Sequence, residues 1–176
     1  MPLIVAALGC QTVATVGEGC PAVEINEVMS ANTTYTVPQV GTTSDWFELH
    51  NFGEGTVDLE GYLLIGHSEE EPAYEVPEGQ TLSEDGYQLF VAATYNNDRS
   101  PVPVTLFDLN DDSDGMTFWA PTDAGYTRCD AVSIPDQHQN FSWQRAPTDP
   151  DSWCDASHPT PGKPNEPCLC ASTEAC

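Results

Sequence analysis

The sequence predicts an all-β fold, a β-sandwich or Greek-key barrel of roughly eight or nine short strands. Apolar residues alternate with polar ones at period two in several short runs, as half-buried strands require. Turn signals separate these runs. No window carries a capped amphipathic stripe, and 15 prolines and 13 glycines in 176 residues oppose long helices.

The elements follow in chain order. Val23 and Ile25 alternate with Glu24 and Asn26. Asn26 and Glu27 then interrupt the alternation, which predicts a bulge or a strand end. In the next run Phe47 and Leu49 point into an inter-sheet core, while Trp46, Glu48 and His50 point the other way. Val57 and Leu59 alternate up to Gly61, where the chain can bend, and residues 62–65 continue. Tyr87, Leu89 and Val91 alternate with Gln88, Phe90 and Ala92. Val104, Leu106, Met116, Phe118, Phe141 and Trp143 supply further short runs. Turns are expected at residues 51–55, 77–79, 84–86 and 114–115, where Gly, Asn, Asp and Pro cluster.

Charge narrows the function classes. Asp and Glu total 28 against 4 Lys and Arg, a formal net charge of −24. Arg99, Arg128, Arg145 and Lys163 form no cluster. Such a chain repels nucleic-acid phosphates and anionic lipid surfaces, so neither is an expected partner. Divalent cations and basic partners remain compatible, and much of the charge serves as a solvated surface.

Seven cysteines point to disulfides and an oxidising, extracytoplasmic compartment. The odd count leaves one cysteine for another purpose. Residues 3–8 are apolar and Gly9 precedes Cys10; the string Ala7, Leu8, Gly9, Cys10 resembles a bacterial lipobox. Lipidation of Cys10 would make the only membrane contact, through an N-terminal anchor on an outer-membrane or cell-surface lipoprotein. The short apolar run, with no Lys or Arg before it, also fits a truncated secretion signal. The chain thus divides into a signal-like segment and linker (1–19), a β-rich body (20–165) and a Cys-rich tail (166–176). No internal repeat is visible.

Within the body, residues 23–32 read Val-Glu-Ile-Asn-Glu-Val-Met-Ser-Ala-Asn and residues 45–51 read Asp-Trp-Phe-Glu-Leu-His-Asn. Residues 57–62 read Val-Asp-Leu-Glu-Gly-Tyr and residues 86–91 read Gly-Tyr-Gln-Leu-Phe-Val. Residues 159–165 close the body with Pro-Thr-Pro-Gly-Lys-Pro-Asn. In this order and spacing the set resembles the lamin tail domain of bacterial exported proteins. The resemblance implies an immunoglobulin-like β-sandwich. It also implies a non-catalytic module of secreted or surface proteins, acting in adhesion, protein binding or substrate attachment. Nuclear or DNA binding does not carry over, because the chain has neither a coiled-coil rod nor a basic patch. Read from the residues themselves, 159–165 cannot be a central strand, since its prolines lack ladder donors; an extended closing strap is expected.

Asp108, Asn110, Asp112 and Asp114 before Gly115 match the start of a calcium loop, but Pro121 stands where a bidentate Glu is needed. The plain alternative is an acidic turn. Glu27, Asp45 and Glu48 form a second possible oxygen cluster, with bonds to loop backbone as the alternative. Trp46, Glu48 and His50 share one face and make the candidate ligand-binding set, with Trp46 the best exposed candidate for sugar stacking and core packing, the more common fate of Trp, as the alternative. His50, His67, His138 and His158 lack metal-ligand spacing, and no Gly-x-Ser-x-Gly elbow supports a hydrolase.

Cys129 and Cys154 are expected to pair, closing a loop of roughly 25 residues worth ~3 kcal/mol of chain entropy. Cys20, Cys168, Cys170 and Cys176 are expected in disulfides too, one of them tying Cys20 to the tail; a thiolate metal site is the competing reading. The sequence therefore leads to a monomeric, non-enzymatic module that needs no cofactor and binds a surface protein or glycan. Calcium-dependent adhesion through residues 108–115 is the alternative, and a small hydrolase the remote one.

Overall fold

The computed structural model describes residues 18–66, 72–94, 100–110 and 114–168. Cys10, His67, Arg99, Asp112, Cys170 and Cys176 lie outside these residues. The described chain is all-β, with eleven antiparallel strands and no helix. They are β1 (Val23–Met29), β2 (Asp45–Asn51), β3 (Val57–Asp58), β4 (Leu63–Gly66), β5 (Tyr74–Glu75) and β6 (Thr81–Leu82). The rest are β7 (Tyr87–Ala92), β8 (Asp114–Thr122), β9 (Gly125–Ile134), β10 (Ser142–Ala146) and β11 (Asp149–Ala156). The excess over eight or nine includes the two-residue strands β5 and β6, too short to show a period in sequence.

A five-stranded sheet runs in the order β11-β10-β1-β2-β7, a four-stranded sheet in the order β5-β4-β8-β9, and β3 pairs with β6 alone. One apolar cluster joins both larger sheets. Ile25, Val28, Phe47, Leu49 and Phe90 come from the first; Leu64, Met116, Phe118, Val132 and Ile134 come from the second. Phe47 stacks on Phe90 at 5.2 Å and on Phe107 at 5.9 Å between ring centroids. Each such side chain gains roughly 1.5–3 kcal/mol from leaving water. The arrangement is consistent with a β-sandwich.

The predicted interruption in β1 is a bulge. Ile25 faces Leu49 and Glu27 faces Glu48, so Asn26 is the extra residue. Strand β10 pairs with β1 only at Glu27 and Val28, which leaves the backbone of Ile25 without a ladder partner on that side. Two side chains supply one. The Ile25 N–H donates to Asp130 Oδ2 at 2.7 Å, and Arg145 Nε donates to the Ile25 carbonyl at 2.7 Å. Arg145 and Asp130 also pair with each other at 2.7 Å. This clasp joins β9 to the first sheet and satisfies groups that burial would penalise.

The disulfides correct the sequence reading. Cys129 does not bond Cys154. Cys20 pairs with Cys129, and Cys154 pairs with Cys168. The reason is topological: Cys129 sits on β9, which packs against β1, whereas Cys154 sits on β11, at the far edge of the five-stranded sheet beyond β10. Strand β9 packs beside β1, which brings Cys129 to the residue ahead of that strand instead. Cys20 therefore does not bond the tail. Both bonds fit an oxidising environment.

Loop length ranks the two bonds. Cys20–Cys129 spans 109 residues and Cys154–Cys168 spans 14. Chain entropy alone gives about 5 and about 3 kcal/mol. The double variant Cys20→Ser/Cys129→Ser is expected to lose more unfolding free energy in urea than Cys154→Ser/Cys168→Ser. The reverse order would show that loop closure is not the main contribution.

Candidate functional site

The outer face of the five-stranded sheet carries three rows of side chains across β1, β2 and β7. Register places Met29, Trp46 and Val91 in one row, Glu27, Glu48 and Leu89 in the next, and Glu24, His50 and Tyr87 in the third. Trp46, Glu48 and His50 do share a face, as the alternation predicts. Their environments differ completely.

Trp46 is 0% exposed, which removes it as a sugar-stacking surface. The segment between β1 and β2 folds back over its row: Met29, Trp46 and Leu89 pack with Val37, flanked by Tyr35, Val40 and Val102. Asn140 holds that segment. At φ 64°, in the left-handed region where Asn is among the tolerated residues, its Oδ1 accepts the N–H of Thr33 at 3.0 Å and of Thr34 at 2.7 Å. Tyr35, Val37 and Val40, apolar in a polar loop, were the available signal.

The middle row holds a buried carboxylate pair. Glu27 and Glu48 face each other across β1 and β2, both 0% exposed. Residues 159–165 lie over them. In Pro159-Thr160-Pro161-Gly162 only Thr160 and Gly162 own an N–H, and each finds a carboxylate. The Thr160 N–H donates to both Glu27 oxygens at 3.1 Å, and its hydroxyl donates to Oε2 at 2.9 Å. The Ser142 hydroxyl adds a further bond to Glu27. The Gly162 N–H donates to Glu48 Oε2 at 2.7 Å, and Asn26 Nδ2 to Oε1 at 2.7 Å. Gly162 has φ 78°, and a Cβ there would lie 2.7 Å from Gln39 Nε2, so glycine suits this turn. Lys163 N–H closes the turn on the Thr160 carbonyl at 2.9 Å. The strap is thus pinned and turned, not simply extended. Asn165 completes it, exchanging side-chain bonds with Asn26 at 2.9 and 3.0 Å and donating to the Arg145 carbonyl at 2.8 Å. Asp45 does not join the pair; it accepts the Asn32 N–H at 2.9 Å.

Burial raises both carboxyl pKa values. For Glu48, loss of solvent and the facing Glu27 outweigh the bonds from Gly162 and Asn26, and its pKa is pushed up to about 8. Glu27 is raised mainly by burial, against its bonds from Ser142 and Thr160.

The third row lines a groove of about 400 Å³ bounded by β1, β2, β7, β10 and the strap. His50 stacks on Tyr87 at 4.5 Å between ring centroids, nearly parallel. Phe52, 37% exposed, and Pro147, Pro150 and Pro164 add apolar walls. Glu24 is the shared acceptor: Oε1 lies 3.3 Å from His50 Nδ1, and Oε2 lies 3.2 Å from Arg145 Nε. Arg145 also donates from Nη1 to the Pro150 carbonyl at 2.6 Å and lies 4.9 Å from the centroid of Trp153. Of the three ligand-binding candidates, His50 alone reaches this groove; Phe52, Tyr87, Glu24 and Arg145 were missed.

In the calcium candidate, Asp114 accepts the N–H of Asn110 and of Gly115, each at 2.7 Å, and Asp108 accepts the N–H of Leu109 at 3.0 Å. Among the described residues no group of three or more His, Cys, Asp or Glu side chains is arranged to hold a metal ion. No helix among them is long and apolar enough to cross a membrane.

Two outcomes test the carboxylate pair. Thr160→Val is expected to cost about 2 kcal/mol, because it removes a hydroxyl bond to a buried carboxylate. An unchanged urea midpoint would show that this bond contributes nothing. The pH dependence has a definite sign. The unfolded chain releases the Glu48 proton near 4.5 and the folded chain near 8, so unfolding releases a proton between these values and stability falls as pH rises through them. Glu48→Gln is expected to flatten that fall; an identical pH slope in the variant would contradict the assignment.

Neither a scan against protein-family models nor a search of curated proteins returns a match to this chain.

Proposed function

We propose that the chain is a non-catalytic extracytoplasmic binding module of the lamin-tail type, with an immunoglobulin-like sandwich as its scaffold. It is displayed on a bacterial surface, with Cys10 as the lipid-bearing residue, and it attaches to a protein or glycan through the groove beside Tyr87. The groove carries this reading. It combines aromatic and proline surfaces with a few polar groups, the usual chemistry of a recognition site. Its ionisable groups engage one another, since Glu24 serves both His50 and Arg145. That pairing holds both side chains in place, as a rigid binding surface requires. The ordered motifs from residue 23 to residue 165 support the lamin-tail assignment, and the two disulfides support export.

The test is binding of the labelled full chain to intact bacterial cells and to a glycan array. Saturable binding is expected, weakened at least tenfold by Phe52→Ala/Tyr87→Ala with the fold intact by circular dichroism. Binding unaffected by that variant, or turnover of a hydrolase substrate panel, would overturn the reading.

A second reading is calcium-dependent adhesion. Asp108 lines a polar cleft of about 420 Å³ with Asn32 and Asp45. On this reading calcium raises the melting temperature and a chelator returns it to the starting value; a melting temperature indifferent to both would dismiss it.

A further inference from the structure

We infer that the groove beside Tyr87 recognises a cationic side chain, lysine or arginine, presented by a protein partner. This rests on the binding-module reading and names its ligand chemistry.

Charge comes first. The chain carries −24, so its field draws cations toward any open recess. The groove holds one cation of its own, Arg145, and neutralises it. Arg145 pairs with Glu24 and Asp130, and its remaining bonds go to the carbonyls of Ile25 and Pro150. An incoming positive charge therefore meets little opposing charge. It meets Glu24, whose oxygens each keep a second lone pair after serving His50 and Arg145. Glu48, Asp85 and Glu24 surround the Tyr87 hydroxyl, whose pKa burial first and then these charges push up to about 12.

The walls fit the rest of such a side chain. Lysine and arginine bury their methylene stems on apolar surface and keep the charged head at a polar or aromatic group. Phe52, Pro147 and Pro150 offer the apolar surface, and the Tyr87 ring, one face of which stacks on His50, extends it. A sugar would need several free donors and acceptors. The amides nearest the groove, Asn26 and Asn165, bond each other instead. The cation is the better match.

The experiment titrates the full chain, isotope-labelled, with Nα-acetyl-lysine methylamide and Nα-acetyl-arginine methylamide. The neutral control is Nα-acetyl-norleucine methylamide, and chitotriose is the glycan arm. The cationic probes are expected to shift the Phe52, Tyr87 and His50 resonances saturably, at least tenfold more tightly than norleucine. Glu24→Gln should remove that preference, and Tyr87→Leu provides a second variant if Glu24→Gln disturbs the Arg145 clasp. Added salt should weaken the lysine probe and not norleucine. Equal binding of lysine and norleucine would overturn the inference. So would shifts spread over the acidic surface without saturation at the groove, or the absence of any groove shift. Groove shifts with chitotriose alone would also overturn it, while leaving the binding-module reading standing.

Discussion

Two carboxylates facing each other inside the molecule hold the outer layer in place. Glu27 and Glu48 occupy a sheet face that would otherwise be open to solvent, and a proline-rich segment covers them. A segment of that composition cannot join a β-ladder, so its few N–H groups need acceptors elsewhere. The carboxylates provide them. In return the strap supplies donors that make burial of the acids tolerable. Each half of the arrangement is costly without the other, so the strap position is specified and not merely permitted.

The groove depends on that specification. Pro164 and Asn165 form part of its rim, and they stand there because Thr160 and Gly162 are anchored a few residues earlier. The opposite rim depends on the bulge at Asn26. The extra residue shifts the register of β1, brings Asn26 to Asn165, and leaves the Ile25 backbone to be met by Asp130 and Arg145. Arg145 thereby enters the groove wall already bonded on several sides. A single irregularity in β1 thus connects the sheet, the strap and the candidate binding surface.

Much of the fold was legible in the residues. The alternation of Phe47 and Leu49 identified the inward face, and the interruption at Asn26 and Glu27 marked a bulge or strand end, of which the structure has the bulge. These are local signals, set by the two-residue repeat of a strand. The site was less legible. Alternation shows that Trp46, Glu48 and His50 share a face, but not what lies over it. Tyr35, Val37 and Val40 cover Trp46, and the strap covers Glu48, contacts separated from their partners by long stretches of chain or by an irregular loop. Disulfide pairing failed for a related reason. Cys129 and Cys154 are near in sequence, but β9 packs against β1 while β11 lies at the sheet edge, and strand order is not written in any local pattern.

Amide hydrogen exchange at Thr160 and Gly162 in the native protein addresses the carboxylate anchor most directly. Both N–H groups are bonded to buried acids although they lie in irregular chain. Protection comparable to that of the β1 and β2 amides is the expected result, with Glu27→Ala and Glu48→Ala, which remove the acceptor oxygens, each lowering it at the amide they serve. Exchange at the rate of an unprotected loop, with β1 and β2 still protected, would contradict an anchored strap and the groove built on it.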